Sequence, residues 1–227
     1  DLSWLDATVV SDLSRDGKSV VFAEQGSGGG VGTYSVYMRE TAGTPAVRLG
    51  EGTAGPLSPD GAWAVAIVPS TPPSLTLLPT GPGQSRTLER GRIVSYQAAA
   101  FFPDGQRLLL AANEEGKPVQ LFVQSIESGP PKAVSGPGLR FAPPSDVVSP
   151  DGRLAAVLDG EDRTILFPLD GAEPYPAPGF EPGDVPMRWS ADGRSVFVFR
   201  FDELPAHVRR VHLARGKREA VATNAPA

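Results

Sequence analysis

The sequence predicts an all-β protein, a β-propeller of about five four-stranded antiparallel blades. Three observations predict this fold. One turn-forming tetrapeptide recurs five times at an even period, a continuous apolar run follows each copy, and two further runs come before the next copy. The apolar spacing of 3.6 residues that helical repeats require is absent, and leucine-rich repeats are shorter, at about 20–29 residues.

The repeated tetrapeptide is predicted to form a hairpin turn. Its copies are SRDG, SPDG, FPDG, SPDG and SADG, and their glycines recur every 41 to 47 residues, at Gly17, Gly61, Gly105, Gly152 and Gly193. Pro suits the second position of a type I turn, Ser or Asp suits the first, and glycine accepts the left-handed conformation that follows. The turn aspartates are therefore expected to accept local backbone N–H bonds rather than to catalyse: Asp16, Asp60, Asp104, Asp151 and Asp192.

The runs that flank each turn are predicted to be strands. The residue four positions before each glycine is apolar and is expected to face a core, and the runs after the glycines read VVFA, AVAI, LLLA, AAVL and VFVF. Continuous apolar runs are typical of strands buried on both faces. With a third run and a more polar fourth one, each unit makes one blade. The whole chain is thus predicted to be a single domain, with blades at approximately 8–50, 52–90, 93–136, 143–178 and 184–222.

The number of blades in the complete ring stays open at this point. Five units either close into a five-bladed ring or belong to a propeller of six to eight blades. LSWL at 2–5 is predicted to be an outer strand, which either pairs beside REAVA at 218–222 and closes the ring or is the remnant of a lost blade. Because residue 1 is Asp rather than Met, we expect a processed form or a piece of a longer protein, which favours the larger ring.

Composition and charge exclude several classes of function. The chain has no cysteine, so disulfides and thiol catalysis are excluded. Its net charge is −5, and the densest basic stretch, at 208–218, is expected to be the solvated face of a hairpin, so no nucleic-acid partner is predicted. No apolar run approaches the roughly 18 residues of a membrane helix, so no direct membrane contact is predicted. The bacterial compartment, cytoplasmic or extracytoplasmic, stays open.

The motifs predict no catalytic residue, no cofactor and no metal. Neither a G-x-S-x-G elbow nor a phosphate-binding loop is present, and GSGGGVG at 26–32 lacks dinucleotide spacing and is expected to be an outer hairpin. His207 and His212 are five residues apart, which places them on opposite faces of a strand, so a shared metal is not expected. Acidic clusters at 113–117, 159–162 and 200–204 are expected to be solvated turns.

The central channel is the place where a ligand site is predicted. In a propeller the innermost strand of each blade lines this channel, and here that strand precedes each turn. Its residues five or six positions before the glycines are mostly small or apolar, but Asp12, Asp146 and Arg188 break the pattern. A polar side chain at a channel mouth orients a ligand or simply faces water. These three residues are the candidate ligand-binding residues.

The repeat resembles a known family. S-P-D-G before an apolar strand, then a third strand that ends in a D-G or S-G turn, resembles the TolB-like propeller repeat across about residues 8–222. It differs from WD repeats, because their Gly-His and Trp-Asp dipeptides are absent. LSWLD, YSVYMRETAGTPAVRLGEG and RWSADGRSVFVFR are similar to propeller regions of bacterial regulators such as eukaryotic-like serine/threonine protein kinases. This resemblance implies a sensor domain, with a kinase or another effector domain elsewhere in the parent chain.

Two functions from different classes are therefore expected. The first is a non-catalytic module that binds a protein or small-molecule ligand, the sensory or interaction part of a larger bacterial regulatory protein. The alternative is a propeller hydrolase or lyase that uses the channel-mouth carboxylates. The missing nucleophile–base pair favours the first, whereas the fold alone does not choose between them.

Overall fold

The computed structural model describes residues 8–25, 34–141 and 146–224, and within these ranges the protein is all-β. Nineteen strands form five antiparallel sheets, in which sequence neighbours are spatial neighbours, and no described residue is helical. Each sheet is one blade of a five-bladed β-propeller, which confirms the five blade units predicted from the repeat. No helix that could cross a bilayer occurs in the described ranges.

The strands follow the repeat unit. Blade one comprises β1 (Thr8–Leu13), β2 (Ser19–Gln25), β3 (Tyr34–Glu40) and β4 (Val47–Glu51). Blade two comprises β5 (Thr53–Leu57), β6 (Trp63–Val68), β7 (Ser74–Pro79) and β8 (Arg86–Thr87). Blade three comprises β9 (Ile93–Phe101), β10 (Arg107–Glu114), β11 (Gln120–Ser125) and β12 (Lys132–Pro137).

The last two blades continue this order. Blade four comprises β13 (Leu154–Leu158), β14 (Thr164–Pro168) and β15 (Tyr175–Pro176). Blade five comprises β16 (Val185–Trp189), β17 (Ser195–Phe199), β18 (Ala206–His212) and β19 (Lys217–Asn224).

The innermost strand of blade four is irregular. Its place is taken by residues 146–149, where Val148 forms an isolated antiparallel bridge with Ala155 and the Ala156 N–H donates to the Val147 carbonyl at 2.9 Å. Asp146 forms a parallel bridge with Arg188 of blade five instead of pairing within its own blade. The inner strand of blade four is thus shared between two blades.

The five repeated turns have the predicted geometry. Their glycines have φ between +67° and +73°, and each glycine N–H donates to the carbonyl three residues earlier at 2.8–3.0 Å. In the four turns that begin with Ser, the serine hydroxyl donates to the turn aspartate at 2.5–2.7 Å. This bond, with backbone N–H bonds, lowers the pKa of the aspartates in those turns: Asp16, Asp60, Asp151 and Asp192.

The FPDG turn lacks the serine and uses an arginine instead. Burial alone would raise the pKa of Asp104, but the Gln106 N–H and the Arg107 guanidinium, at 2.8 Å each, hold it below its ordinary value. The aspartates in all five turns therefore stabilise the hairpin, and the departures of this copy from the consensus are compensated locally.

A simple rule of register explains why the second strands are apolar on both faces. In blade three, Leu108 and Leu110, three and five residues after the turn glycine, pack against blade two, whereas Leu109 and Ala111 pack against blade four. The same offsets hold in the other blades. Four apolar clusters result, and they join blades one and two, two and three, three and four, and four and five.

The seam between blades five and one differs from these four. By the same rule Phe197 of blade five faces blade one, yet none of the four clusters among the described residues contains it. A groove of about 560 Å³ on the turn side of the propeller reaches this seam, where Arg15, Phe197 and Arg210 line it. Leu13, the first residue predicted to face a core four positions before a glycine, is 42% exposed, whereas its four equivalents are at most 8% exposed. That prediction is wrong for Leu13, because none of the apolar clusters among the described residues lies at the seam that it faces.

Two of the sequence stretches named above lie outside the described residues. LSWL at 2–5 and GSGGGVG at 26–32 both lie there, so the pairing of residues 2–5 with blade five stays a prediction. Residues 218–222, their predicted neighbour, lie in the outermost strand of blade five, β19, which pairs with β18.

Candidate ligand site in the central channel

The innermost strands of all five blades converge on one cavity of about 330 Å³. Its walls are small or apolar and include Val10, Gly55, Pro56, Ile67, Ala98 and Met187. Gly55 is also required by packing within its own blade, because a Cβ atom there would lie 3.2 Å from both the Cβ atom and the carbonyl oxygen of Val65 in the neighbouring strand β6.

β-Bulges in the inner strands turn side chains toward this cavity. The ladder between the first and second strands shifts register in four blades, once in blades one, two and five and twice in blade three. The residues left out of the pairing are Ser11, Gly55 with Pro56, Val94, Gln97 and Met187. All of them except Val94 line the cavity. A bulge re-aims one side chain at the cost of a ladder hydrogen bond, and bulges concentrate beside functional sites. These bulges could not be predicted from the sequence, because register is a property of two strands together.

The three predicted site residues meet at one side of the cavity. The Arg188 Nε atom donates to Asp146 Oδ2 at 3.2 Å, and both side chains are about half exposed, at 48% and 49%. The Asp146 N–H donates to the Met187 carbonyl at 2.8 Å, which fixes the ion pair between blades four and five. Of the described residues that line the cavity, Asp12, Asp146 and Arg188 are the charged ones.

Asp12 connects blades one and two. Its Oδ1 atom accepts the Leu13 N–H at 2.7 Å and its Oδ2 atom accepts the Leu57 N–H at 2.8 Å. Burial raises the pKa of Asp12, and the Asp146 carboxylate raises it further, while the Leu57 N–H and the Arg188 guanidinium act in the opposite direction. The two carboxylates and the guanidinium therefore form one coupled group.

The charged group lies between two openings. Asp146 and Arg188 line both the cavity of about 330 Å³ and, on the opposite side, the groove on the turn side of the propeller. Pro103, Pro150 and the exposed Arg15 line that groove. Asp12 also lines a narrow pocket that joins the two sides. The Asp146–Arg188 ion pair thus forms the floor of the channel cavity.

A serine, a histidine and a carboxylate also line up across blade five. Ser195 Oγ lies 3.1 Å from His212 Nδ1, and His212 Nε2 lies 3.2 Å from Glu219 Oε2. Ser195 is fully buried, so its hydroxyl cannot reach a substrate. In the strand register Ser195 lies opposite His212, and His212 lies opposite Lys217, two residues before Glu219. The three side chains therefore contact one another as a ladder across neighbouring strands.

Further ion pairs of blade five lie outside the channel. His207 lies 3.4 Å from Glu203, so the two histidines contact different carboxylates. Fully buried Asp184 accepts from Arg218 at 2.5 Å and from Arg200 at 3.2 Å. Burial alone would raise the pKa of Asp184, but Arg218 and the Glu181 N–H hold it below its ordinary value. Among the described residues, no group of three or more His, Asp or Glu side chains could hold a metal ion.

Comparison with solved structures identifies the fold. No protein-family model and no curated protein sequence matches the chain. TolB from Acinetobacter baumannii superposes with a TM-score of 0.71 and 13% identity, over 91% of this chain and 53% of TolB. A putative TolB from Agrobacterium tumefaciens gives 0.72 and 20% identity, over 97% of this chain and 83% of that one. The chain has the fold of the TolB-like β-propellers.

Enzymes are also found among the proteins with a similar fold. An oligogalacturonate lyase from Vibrio parahaemolyticus gives a TM-score of 0.67 and 14% identity, over 96% of this chain and 68% of the lyase. The TolB-like fold predicted from the repeat is therefore confirmed, and these identities support the fold alone. This chain spans about half the length of the Acinetobacter TolB.

Proposed function

We propose that the chain is a non-catalytic propeller module that binds a small molecule or a segment of a partner protein in its central channel. The observation that carries this proposal is the cavity to which all five blades contribute, with bulged residues turned toward it from four of them. Protein interiors are close-packed, whereas this volume lies at the lower end of the range for ligand pockets.

The side chains around the channel favour binding over catalysis. Both oxygens of Asp12 accept backbone N–H groups, and Asp146 pairs with Arg188, so both carboxylates already have structural partners. The Ser195–His212 pair lies in the interior of blade five. The alternative, a hydrolase or lyase that uses Asp12 and Asp146, would have to act through carboxylates that also connect neighbouring blades.

We propose a larger role from the sequence stretches that resemble bacterial regulators. In this role the propeller is the sensory or interaction part of a regulatory protein, and a kinase or other effector domain lies elsewhere in the parent chain. The similar stretch RWSADGRSVFVFR corresponds to residues 188–200 and begins at Arg188, so it includes one of the three charged channel residues. Occupancy of the channel would then be what the module senses.

A titration with uncharged probes tests the channel proposal. We suggest 2-phenylethanol and cyclohexanol, followed by amide chemical shifts in the ¹⁵N-labelled protein. Val10→Trp narrows the cavity from an exposed position, and Val9→Trp is its matched control, because both valines are about half exposed and Val9 does not line the cavity.

The expected shifts concentrate on inner-strand residues of several blades, disappear in Val10→Trp and persist in Val9→Trp. Shifts confined to the outer strands, or equal in the two variants, would contradict channel binding. Turnover of an ester, lactone or uronate substrate that Asp146→Asn abolishes would establish the enzyme instead.

A further inference from the structure

We propose that the channel cavity takes a ligand with one primary ammonium group on a small apolar body, the ammonium beside Asp12 and Asp146. The inference rests on the proposed binding in the channel and adds the chemical class of the ligand. Three features of the cavity carry it: the charge of its floor, the fixed position of Asp12, and its size and walls.

The floor of the cavity carries two carboxylates against one guanidinium. With all three groups ionised, its formal charge is −1, and the other lining residues are uncharged. Arg15, a further cation, lines the groove on the turn side and the narrow pocket below the floor, but it does not line this cavity. Apolar walls focus such a field, because they screen it less than water does. A cation is therefore attracted into the cavity, and an anion would meet an arginine that is already paired.

Asp12 is held in place before any ligand arrives. Two backbone N–H bonds, from Leu13 and Leu57, fix its carboxylate, and each oxygen retains a further lone pair for an ammonium donor. The nearby Asp146 carboxylate disfavours its ionised form, and an ammonium between them would offset that repulsion. An ammonium offers three donors on one atom, which suits a site with two carboxylates.

The cavity limits the size of the apolar body. A volume of about 330 Å³ corresponds to roughly eleven water molecules at about 30 Å³ each. That space accommodates one ring or a short aliphatic chain. Val10, Ile67, Ala98 and Met187 provide the apolar contact, and they lie around the cavity above the charged floor.

Three probes of similar shape and different charge test the ligand class. Phenethylamine is the cation, 2-phenylethanol the neutral analogue and 3-phenylpropanoate the anion, and each is titrated into the whole chain at low salt by calorimetry and amide shifts. We expect phenethylamine to bind at least tenfold more tightly than the alcohol, and the carboxylate to bind most weakly.

Variants of the floor residues test whether their charges cause the preference for the ammonium probe. Asp146→Asn should reduce the affinity for phenethylamine to that for the alcohol, without changing the latter. Arg188→Gln should strengthen amine binding severalfold, because it removes the competing cation. Glu161→Gln is the matched control, since it makes the same charge change at a carboxylate 72% exposed on the surface, and it should change nothing.

The outcomes separate this inference from the proposed function. Binding of all three probes with equal affinity in the channel, blocked by Val10→Trp, would overturn the ammonium preference and leave channel binding standing. A preference for 3-phenylpropanoate that Arg188→Gln abolishes would overturn it in favour of an anion. Failure of every probe to shift channel residues would overturn both.

Discussion

Replacing the glycine of a repeated turn should destabilise the protein through its backbone alone. Gly105 has φ +68°, and a Cβ atom there would lie 3.6 Å from the Pro59 side chain, an ordinary van der Waals contact. Gly105→Ala therefore creates no clash, and its whole cost is the left-handed conformation, about 1–2 kcal/mol. For a chain of this size, 1 kcal/mol changes the melting temperature by about 2–4 °C, so we expect a decrease of about 2–8 °C.

Urea and thermal denaturation followed by circular dichroism measure this effect. Gly136→Ala is the matched control, because Gly136 lies in strand β12 with open space around it and without the positive φ. The control should retain or slightly gain stability. Gly152→Val, at φ +71°, should be at least as destabilising as Gly105→Ala. Wild-type stability of both turn variants would refute the turn assignment and with it the repeat unit.

Four further expectations follow from named contacts. Asp184→Asn should lower the free energy of unfolding by about 3 kcal/mol, because it leaves Arg200 and Arg218 without their buried counter-ion. An unchanged midpoint in a denaturant melt would contradict this. Lys217 and His212 lower the pKa of Glu219 to about 2, so its stabilising contribution is complete above about pH 4.5 and is lost as the pH falls toward 2; Glu219→Gln should flatten the stability profile in that window. Generic ester, lactone and peptide substrates should show no turnover, and turnover that Asp12→Asn abolishes would overturn this. Phe201 and Leu204, at 74% and 85%, are the most exposed large apolar side chains among the described residues, so replacing both by Ser should reduce concentration-dependent association in light scattering, and unchanged association would contradict this.

The sequence was sufficient to predict the features that depend on local chemistry. The turn tetrapeptides specify positive φ at five glycines, and apolar runs on both sides of them specify strands buried between blades. Asp12, Asp146 and Arg188 could be selected because charge is conspicuous where neighbouring inner-strand residues are small. The positions of these residues relative to the turns also placed them on the channel side.

Other features depend on pairings that one strand does not encode. Ser11 and Gln97 line the cavity because bulges shift the register against the second strand, and the two bulges lie at different distances from their turns. The shared inner strand of blade four and the buried contact of Asp184 with Arg218 each join segments from different parts of the repeat. Leu13 was expected to be buried like its equivalents, and it is exposed because the last seam is built differently.

The most direct test of the channel site is a crystal soaked in 4-bromophenethylamine and measured at the bromine absorption edge. Bromine scatters anomalously, so its position is found without reference to the protein model. We expect one strong peak within the channel, between Val10 and Met187, with the amine directed toward Asp146. Peaks on the outer surface only, or a channel closed by contact between Val10 and Met187, would contradict the proposal that this propeller binds its ligand at the centre of the ring.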